Sequence, residues 1–211
     1  MVEKNLRLGF MASGSGSSVE ALVDKINTGM LTGYDSGVII CNKPEGKAGI
    51  YERAERLGIP IVFAPDAKSQ LEAFEKFDVD IILGLGYITK VEPEVLNYYE
   101  NAVINIHPTL LPKHGGKGMY VLATHLSVLD SGDTHTGPTI HFMNEDYDKG
   151  TILRQVKIPI PLELIGRPTE ENAKQLQQIV LKEEYQIMYD VLERIRDDII
   201  KIADPEFYLY N

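Results

Sequence analysis

A doubly wound α/β fold on a mostly parallel sheet is the architecture this sequence predicts, and three observations predict it. Over residues 6–106, short apolar runs alternate with segments of helical spacing. The first run is closed by the glycine-rich stretch Ser13-Gly14-Ser15-Gly16-Ser17-Ser18. After Pro112 the pattern changes to runs that alternate polar and apolar residues, followed by one long helical stretch. A β-α-β-α-β-α-β order implies right-handed crossovers and parallel pairing, with the later runs as antiparallel additions.

Each element has its own signal. Residues 6–12 form a buried strand, and 19–30 a helix with Val19, Leu22, Val23 and Ile26 on one face, ended near Gly29. A strand over 37–41 precedes a helix over 48–57, which Gly58 stops. Residues 59–64 are a strand with Pro60 near its start, 71–77 a helix, and 79–85 a strand ending among Gly84 and Gly86. A short helix over 95–99 leads to a strand over 102–106. Beyond the glycine-rich loop 113–118, the pattern predicts a helix over 119–129 and half-exposed strands over 136–144 and 152–160. The turn-forming residues 145–150 separate those two strands. A helix over about 169–202 closes the chain, with Leu176, Val180, Ile187, Val191, Ile195 and Ile199 roughly one turn apart.

The length of 211 residues suits one generous domain, and 44% hydrophobic residues are enough to fill its core. The 31 acids against 21 Lys and Arg give a formal charge of −10. Such a surface repels nucleic acid and anionic membrane, so an anionic ligand must be attracted by local donors. The lone Cys41 excludes an internal disulfide and a cysteine-based metal cluster, consistent with a reducing compartment. The first apolar run is too short for a signal peptide, and no run approaches the ~18 apolar residues of a membrane helix. A cytoplasmic protein without a metal is expected, with small molecules as partners and a monomeric or homodimeric state.

Three segments can carry chemistry. In Val103-Ile-Asn105-Ile-His107-Pro108, a carboxamide and an imidazole two residues apart share one face of a strand that Pro108 ends. They therefore stand at a strand's carboxyl end, where open α/β sheets keep their ligands. Residues 13–18 are either a phosphate nest before a helix or an ordinary βα turn capped by Ser17 or Ser18. They lack the Gly-Lys-Ser/Thr ending of a P-loop and the third glycine of a dinucleotide fingerprint. The third segment is His141-Phe142 with Asp146, Asp148 and Gly150. Only a fold can join Asp148 to His107, and a carboxylate there would raise the imidazole's pKa toward neutrality. Read alone, Asp148-Lys149-Gly150 is a β-turn, and Val79–Pro93, with Gly84, Gly86, Tyr87 and Lys90, a strand-to-helix crossover. His114, His125 and His135 have no ligand-like spacing.

Taken together and in this order, these segments resemble the folate-dependent formyltransferases, in particular the phosphoribosylglycinamide formyltransferases of purine biosynthesis. The residues that carry the resemblance are Ser13-Gly14-x-Gly16-Ser17, Asn105-x-His107-Pro-Thr-Leu-Leu-Pro112, Gly137-x-Thr-Ile-His141-Phe142 and Asp148-x-Gly150. The resemblance implies one formyltransferase domain, with a phosphate-binding half over 1–100 and a catalytic, folate-binding half over 101–211. It implies transfer of a formyl group from 10-formyltetrahydrofolate, as co-substrate, to the amine of 5-phosphoribosylglycinamide. Asn105 would donate to the developing oxyanion, and His107, kept protonated by Asp148, would stabilise it and move a proton to the leaving nitrogen. Gly16, Ser17 and Ser18 would hold the ribonucleotide phosphate, with Glu183 or Glu184 near the ribonucleotide. Ile88, Thr89, Lys90, Val91, Asn105 and Phe142 would line the folate pocket.

The chain departs from the family pattern at several places. Ser18 stands where Asn is common, Lys90 is the only basic residue near a usual arginine at Thr89, Lys68 is the remaining basic candidate on the folate side, and loop 113–124 is long. These departures keep open a formyltransferase for another amine, such as an amino-sugar nucleotide. A methionyl-tRNA formyltransferase would want a further domain and a basic face. A non-catalytic binding protein has no need of Asn105, His107 and Asp148 as a set.

Overall fold

The computed structural model describes residues 4–120, 122–198 and 200–202, in two compact units, 1–105 with 195–211 and 106–194. The expectations placed on Ile199 and on the aromatic end 207–211 lie outside the described residues.

The first unit is the predicted alternation. In chain order it contains β1 (Leu6–Met11), α1 (Ser17–Asn27), β2 (Tyr34–Cys41), α2 (Ile50–Leu57), β3 (Ile61–Phe63), α3 (Ala67–Lys76), β4 (Ile81–Gly84), α4 (Pro93–Tyr98) and the start of β5 (Val103–His107). All its strand pairs are parallel: Phe10 lies between Ile39 and Leu83, and Gly84 pairs with Asn105. Buried Leu8, Phe10, Ile39, Ile40, Ile81, Ile82 and Leu83 make these strands apolar on both faces, which a parallel sheet covered by helices requires. α3 begins four residues earlier than its apolar spacing suggests. Asp66 accepts the Ser69 N–H at 2.9 Å in a capping box, which satisfies donors that a bare helix start leaves open.

The second unit contains α5 (Leu122–Asp130), β6 (His135–Thr136), β7 (Thr139–Phe142), β8 (Ile152–Gln155), β9 (Ile158–Pro159) and most of α6 (Glu170–Arg196). The single strand expected over 136–144 is two strands, because Gly137 at φ 144° and Pro138 interrupt the ladder. The stretch 152–160 is likewise split, so that β7 pairs antiparallel with β8, and β6 with β9. α6 is shorter than expected, with Asp198 at φ 61° just beyond its end. Leu176 and Val180 on α6 pack with Val128, Leu129, Ile160 and Leu164 in a core of their own. The main sheet has the order β3-β2-β1-β4-β5-β7-β8, and β6-β9 is a separate pair.

The order reverses between β1 and β4, which is where open α/β sheets leave a crevice beyond their carboxyl ends. The loops there are tied together. Ser13 donates its N–H to the Gly86 carbonyl at 3.1 Å, and Ile88 donates to the Ser13 hydroxyl at 3.2 Å.

Candidate active site

Asn105 and His107 alternate on β5, so their side chains leave the same face, as the sequence predicts. The Pro108–Pro112 segment that follows is held by β7 and β8. Thr139 Oγ1 donates to the Thr109 carbonyl at 2.7 Å and accepts from Leu111 at 3.1 Å, while Gln155 Nε2 donates to the Leu111 carbonyl at 2.8 Å. This pinning carries the chain back over His107 as the glycine-rich loop.

His107 is buried, and both its ring nitrogens face protein groups. Nε2 lies 3.0 Å from the His114 carbonyl; a carbonyl only accepts, so Nε2 carries a hydrogen and donates. Nδ1 faces Asp148 Oδ1 at 3.6 Å, within ion-pair range but longer than a hydrogen bond. His141 mirrors this arrangement: its Nδ1 donates to the Phe142 carbonyl at 2.7 Å, and its Nε2 stands 3.7 Å from the same Asp148 oxygen. Asp148, at φ 56°, is steadied by the Gly116 N–H, which donates to Oδ2 at 2.8 Å. Gly150 lets this turn close: a Cβ there would lie 1.7 Å from the Phe142 carbonyl oxygen. The structure thus joins His107 to Asp148, 41 residues apart, and brings His141 to the same carboxylate.

The direction of the His107 shift differs from expectation. Burial lowers the pKa of His107 below 6.5 and outweighs the opposing pull of Asp148 and of the His114 carbonyl. Burial likewise lowers His141, against the Phe142 carbonyl and Asp148, and takes His125 down to about 4, with the charge of His107 adding to the effect. Asp148 therefore does not lift the His107 pKa above its ordinary value. A carboxylate at 3.6 Å recovers less than the imidazolium loses in leaving water.

In the first unit, Gly16 is the N-cap of α1 at φ 76°, and among the described residues no side-chain cap hydrogen bond is made there. Ser17 and Ser18 are its first helical residues, which corrects the alternative that one of them is the cap. The first-turn N–H groups are thus left for another acceptor. The turn is braced by α2 and its approach: Ile50 donates its N–H to the Gly14 carbonyl at 3.1 Å, and Arg53 Nη1 donates to the Ser15 carbonyl at 2.5 Å. A Cβ on Gly16 would sit 2.1 Å from Ile50 Cδ1.

The remaining predicted residues fall in both units. Ile88, Thr89 and Lys90 are exposed on the loop after β4, whereas the Val91 side chain is buried. Thr89 Oγ1 accepts from Asn42 Nδ2, and Asn42 Oδ1 is buried without a partner among the described residues. The Phe142 ring is buried, and its carbonyl accepts from His141 Nδ1. Lys68 is exposed on α3, 3.8 Å from Glu72.

Glu183 and Glu184 are adjacent on α6, and burial pushes the Glu184 carboxyl up to about 7. Folding therefore disfavours its ionised form, and the penalty grows as pH rises from 4.5 to about 7. Glu184→Gln should gain about 3 kcal/mol over the parent at pH 8 and little at pH 4. Urea unfolding at both pH values measures this, and an equal gap at each would contradict the burial of that carboxyl.

Sequence reasoning missed His114, Ser127 and Asp133, which form one cluster. His114 Nδ1 is 2.8 Å from Ser127 Oγ, and Nε2 is 2.8 Å from Asp133 Oδ2. It also missed Arg53. Separations of 13 and 19 residues across a loop and a helix give no periodic signal.

Comparison with known proteins agrees with this architecture. Two curated relatives are the chloroplastic phosphoribosylglycinamide formyltransferases of Vigna unguiculata and Arabidopsis thaliana, 34% and 33% identical to this chain. Each alignment covers 92% of the chain, which spans 62% of the first relative's length and 67% of the second's. The crystal structure of phosphoribosylglycinamide formyltransferase from Anaplasma phagocytophilum superposes with a TM-score of 0.80 at 25% identity, over 95% of this chain and 92% of that one. Residues 6–192 match the family model described as Formyl transferase, a span that runs from β1 into α6 and includes Asn105, His107, His141 and Asp148. The chain belongs to the formyl transferase family.

Proposed function

We propose that this protein transfers a formyl group from 10-formyltetrahydrofolate to the amine of 5-phosphoribosylglycinamide, a step of purine biosynthesis. The observation that carries the reading is the 3.6 Å approach of Asp148 to His107 at the end of the strand that also bears Asn105. The folate supplies the formyl group and a nitrogen leaving group. Its fit is supported by the exposed Ile88 side chain, which offers apolar surface, and by the orphaned Asn42 Oδ1 beside Thr89, which suits a heterocycle with N–H donors. The first turn of α1 at Gly16, Ser17 and Ser18, uncapped among the described residues, suits a phosphate. On this reading the partners are small molecules, and the protein works in the cytosol as a monomer or homodimer. Among the described residues, no helix is long and apolar enough to cross a membrane.

The resting protonation state assigns roles. Neutral His107 accepts the proton released as the amine attacks, Asp148 stabilises the imidazolium so formed, and that proton then goes to the departing nitrogen. The Asn105 carboxamide donates to the oxygen on which charge develops. Since the neutral imidazole is the working form, kcat should fall with acid through a pKa below 6.5. Asp148 raises that pKa, so Asp148→Asn should lower kcat and move the acidic limb to still lower pH. An unmoved limb would count against the pairing.

Gly16→Val forces a branched side chain into a left-handed turn and against Ile50. The KM for the phosphorylated amine should rise about tenfold or more, with a smaller change in kcat; an unchanged KM would remove the phosphate from this turn. The deciding assay offers 10-formyltetrahydrofolate with 5-phosphoribosylglycinamide and with other amines, an amino-sugar nucleotide among them. Formylation of the ribonucleotide is expected, and turnover of the amino-sugar nucleotide alone would overturn the choice of acceptor.

A further inference from the structure

We propose that Ser127 and Asp133 are positioning residues that act through His114, fixing the hydrogen of the catalytic imidazole of His107 on Nε2. The kinetic consequence rests on the formyl-transfer reading above, whereas the tautomer does not.

His114 sits at φ 59°, a left-handed backbone that a residue with a Cβ adopts at a cost of about 1–2 kcal/mol. Its side chain explains why it stays there. The ring is 7% exposed and held at both nitrogens, by Ser127 on α5 and by Asp133 on the turn after α5. Asp133 is itself secured. Burial pushes its carboxyl up, but hydrogen bonds from Lys113, His114 and Ser131 more than reverse this and hold it at about 2. Lys113 Nζ stands 2.5 Å from the other carboxylate oxygen. With the ring anchored and the backbone in that conformation, the His114 carbonyl is aimed at His107 Nε2 at 3.0 Å.

This aim decides a competition. A neutral imidazole carries one ring hydrogen, and His107 has an acceptor on each side. Asp148 would draw that hydrogen to Nδ1, but it stands at 3.6 Å, whereas the carbonyl stands at 3.0 Å in hydrogen-bonding range. The hydrogen therefore belongs on Nε2, and the lone pair on Nδ1 faces Asp148, where an arriving proton is stabilised as imidazolium. Without the anchor, the carbonyl is free to turn away and the hydrogen moves to Nδ1. The other ionisable groups around His107 do not replace this control. His141 faces the same carboxylate with its Nε2, while His125 is held neutral by burial down to about 4. The carbonyl also raises the His107 pKa, so its loss lowers that pKa further.

The test is 15N–1H spectroscopy of the imidazoles in the full chain, with His107→Gln to assign the signal, alongside pH profiles of kcat. In the parent, neutral His107 should show hydrogen on Nε2. In Ser127→Ala and Asp133→Ala it should move toward Nδ1. The variants' kcat should fall about tenfold or more, with KM for both substrates little changed and the acidic limb at lower pH. Ser127→Thr, which keeps the hydroxyl, should restore the parent's tautomer and profile. A parent His107 with hydrogen on Nδ1 overturns the proposal without any variant, so a variant that fails to fold does not protect it. Variants that lose kcat while tautomer and acidic limb stay put also overturn it, since that is the mark of a merely structural role. A tautomer shift in a protein that formylates no amine supports this inference and ends the functional reading instead.

Discussion

Alanine in place of His107 is expected to lower turnover by about 10²–10⁴ while changing folate affinity little. The imidazole is buried and both its nitrogens face protein groups, so it contributes no large surface to ligand binding. Its loss removes the one base beside Asp148 that shares a strand with Asn105. Proton transfer to the leaving nitrogen must then rely on solvent. Single-turnover formyl transfer, with folate affinity measured by fluorescence titration, separates the two effects. A rate within tenfold of the parent would assign the proton transfer elsewhere, and His141, 3.7 Å from the same carboxylate, would be the group to examine. A collapse of folate affinity with an intact rate would instead make His107 a binding residue.

Gly150→Ala should have a comparably large effect by a purely steric route. A methyl group there would lie 1.7 Å from the Phe142 carbonyl oxygen, 2.7 Å from its carbon and 3.5 Å from His141 Nδ1. The obstacle is backbone of β7, which cannot rotate aside as a side chain can. The 146–150 turn must therefore back away, taking Asp148 from His107 and His141 and loosening the bond from Gly116. Destabilisation of about 2–4 kcal/mol and near-complete loss of kcat are expected. Chemical unfolding and the transfer assay report the two losses separately. A variant with parental stability and turnover would mean that this turn does not hold the carboxylate.

Much of this was legible before any coordinates. Apolar runs covered on both faces, such as 37–41 and 79–85, fall within or around β2 and β4. The Asn105-x-His107-Pro108 spacing places both side chains at one strand end, because alternation and proline's missing N–H are local rules. The early start of α3 was missed by its apolar spacing, although Asp66 and Ser69 stand three apart as a capping pair. The break at Gly137-Pro138 is signalled by those two residues themselves, whereas the one at Val156-Lys157 was harder to read, because alternation continues through it while the hydrogen-bond ladder does not.

What the sequence determined alone was everything set by neighbours along the chain: the order of strands and helices, the glycine turn after β1, and the pairing of a carboxamide with an imidazole on β5. The tertiary structure decided how distant groups meet and in what charge state. It brought Asp148 and His141 to His107, and it set Ser127 and Asp133 around His114. It also turned the expected upward shift of the His107 pKa into a downward one, because desolvation depends on every atom packed around a group, and no spacing along the chain records that sum.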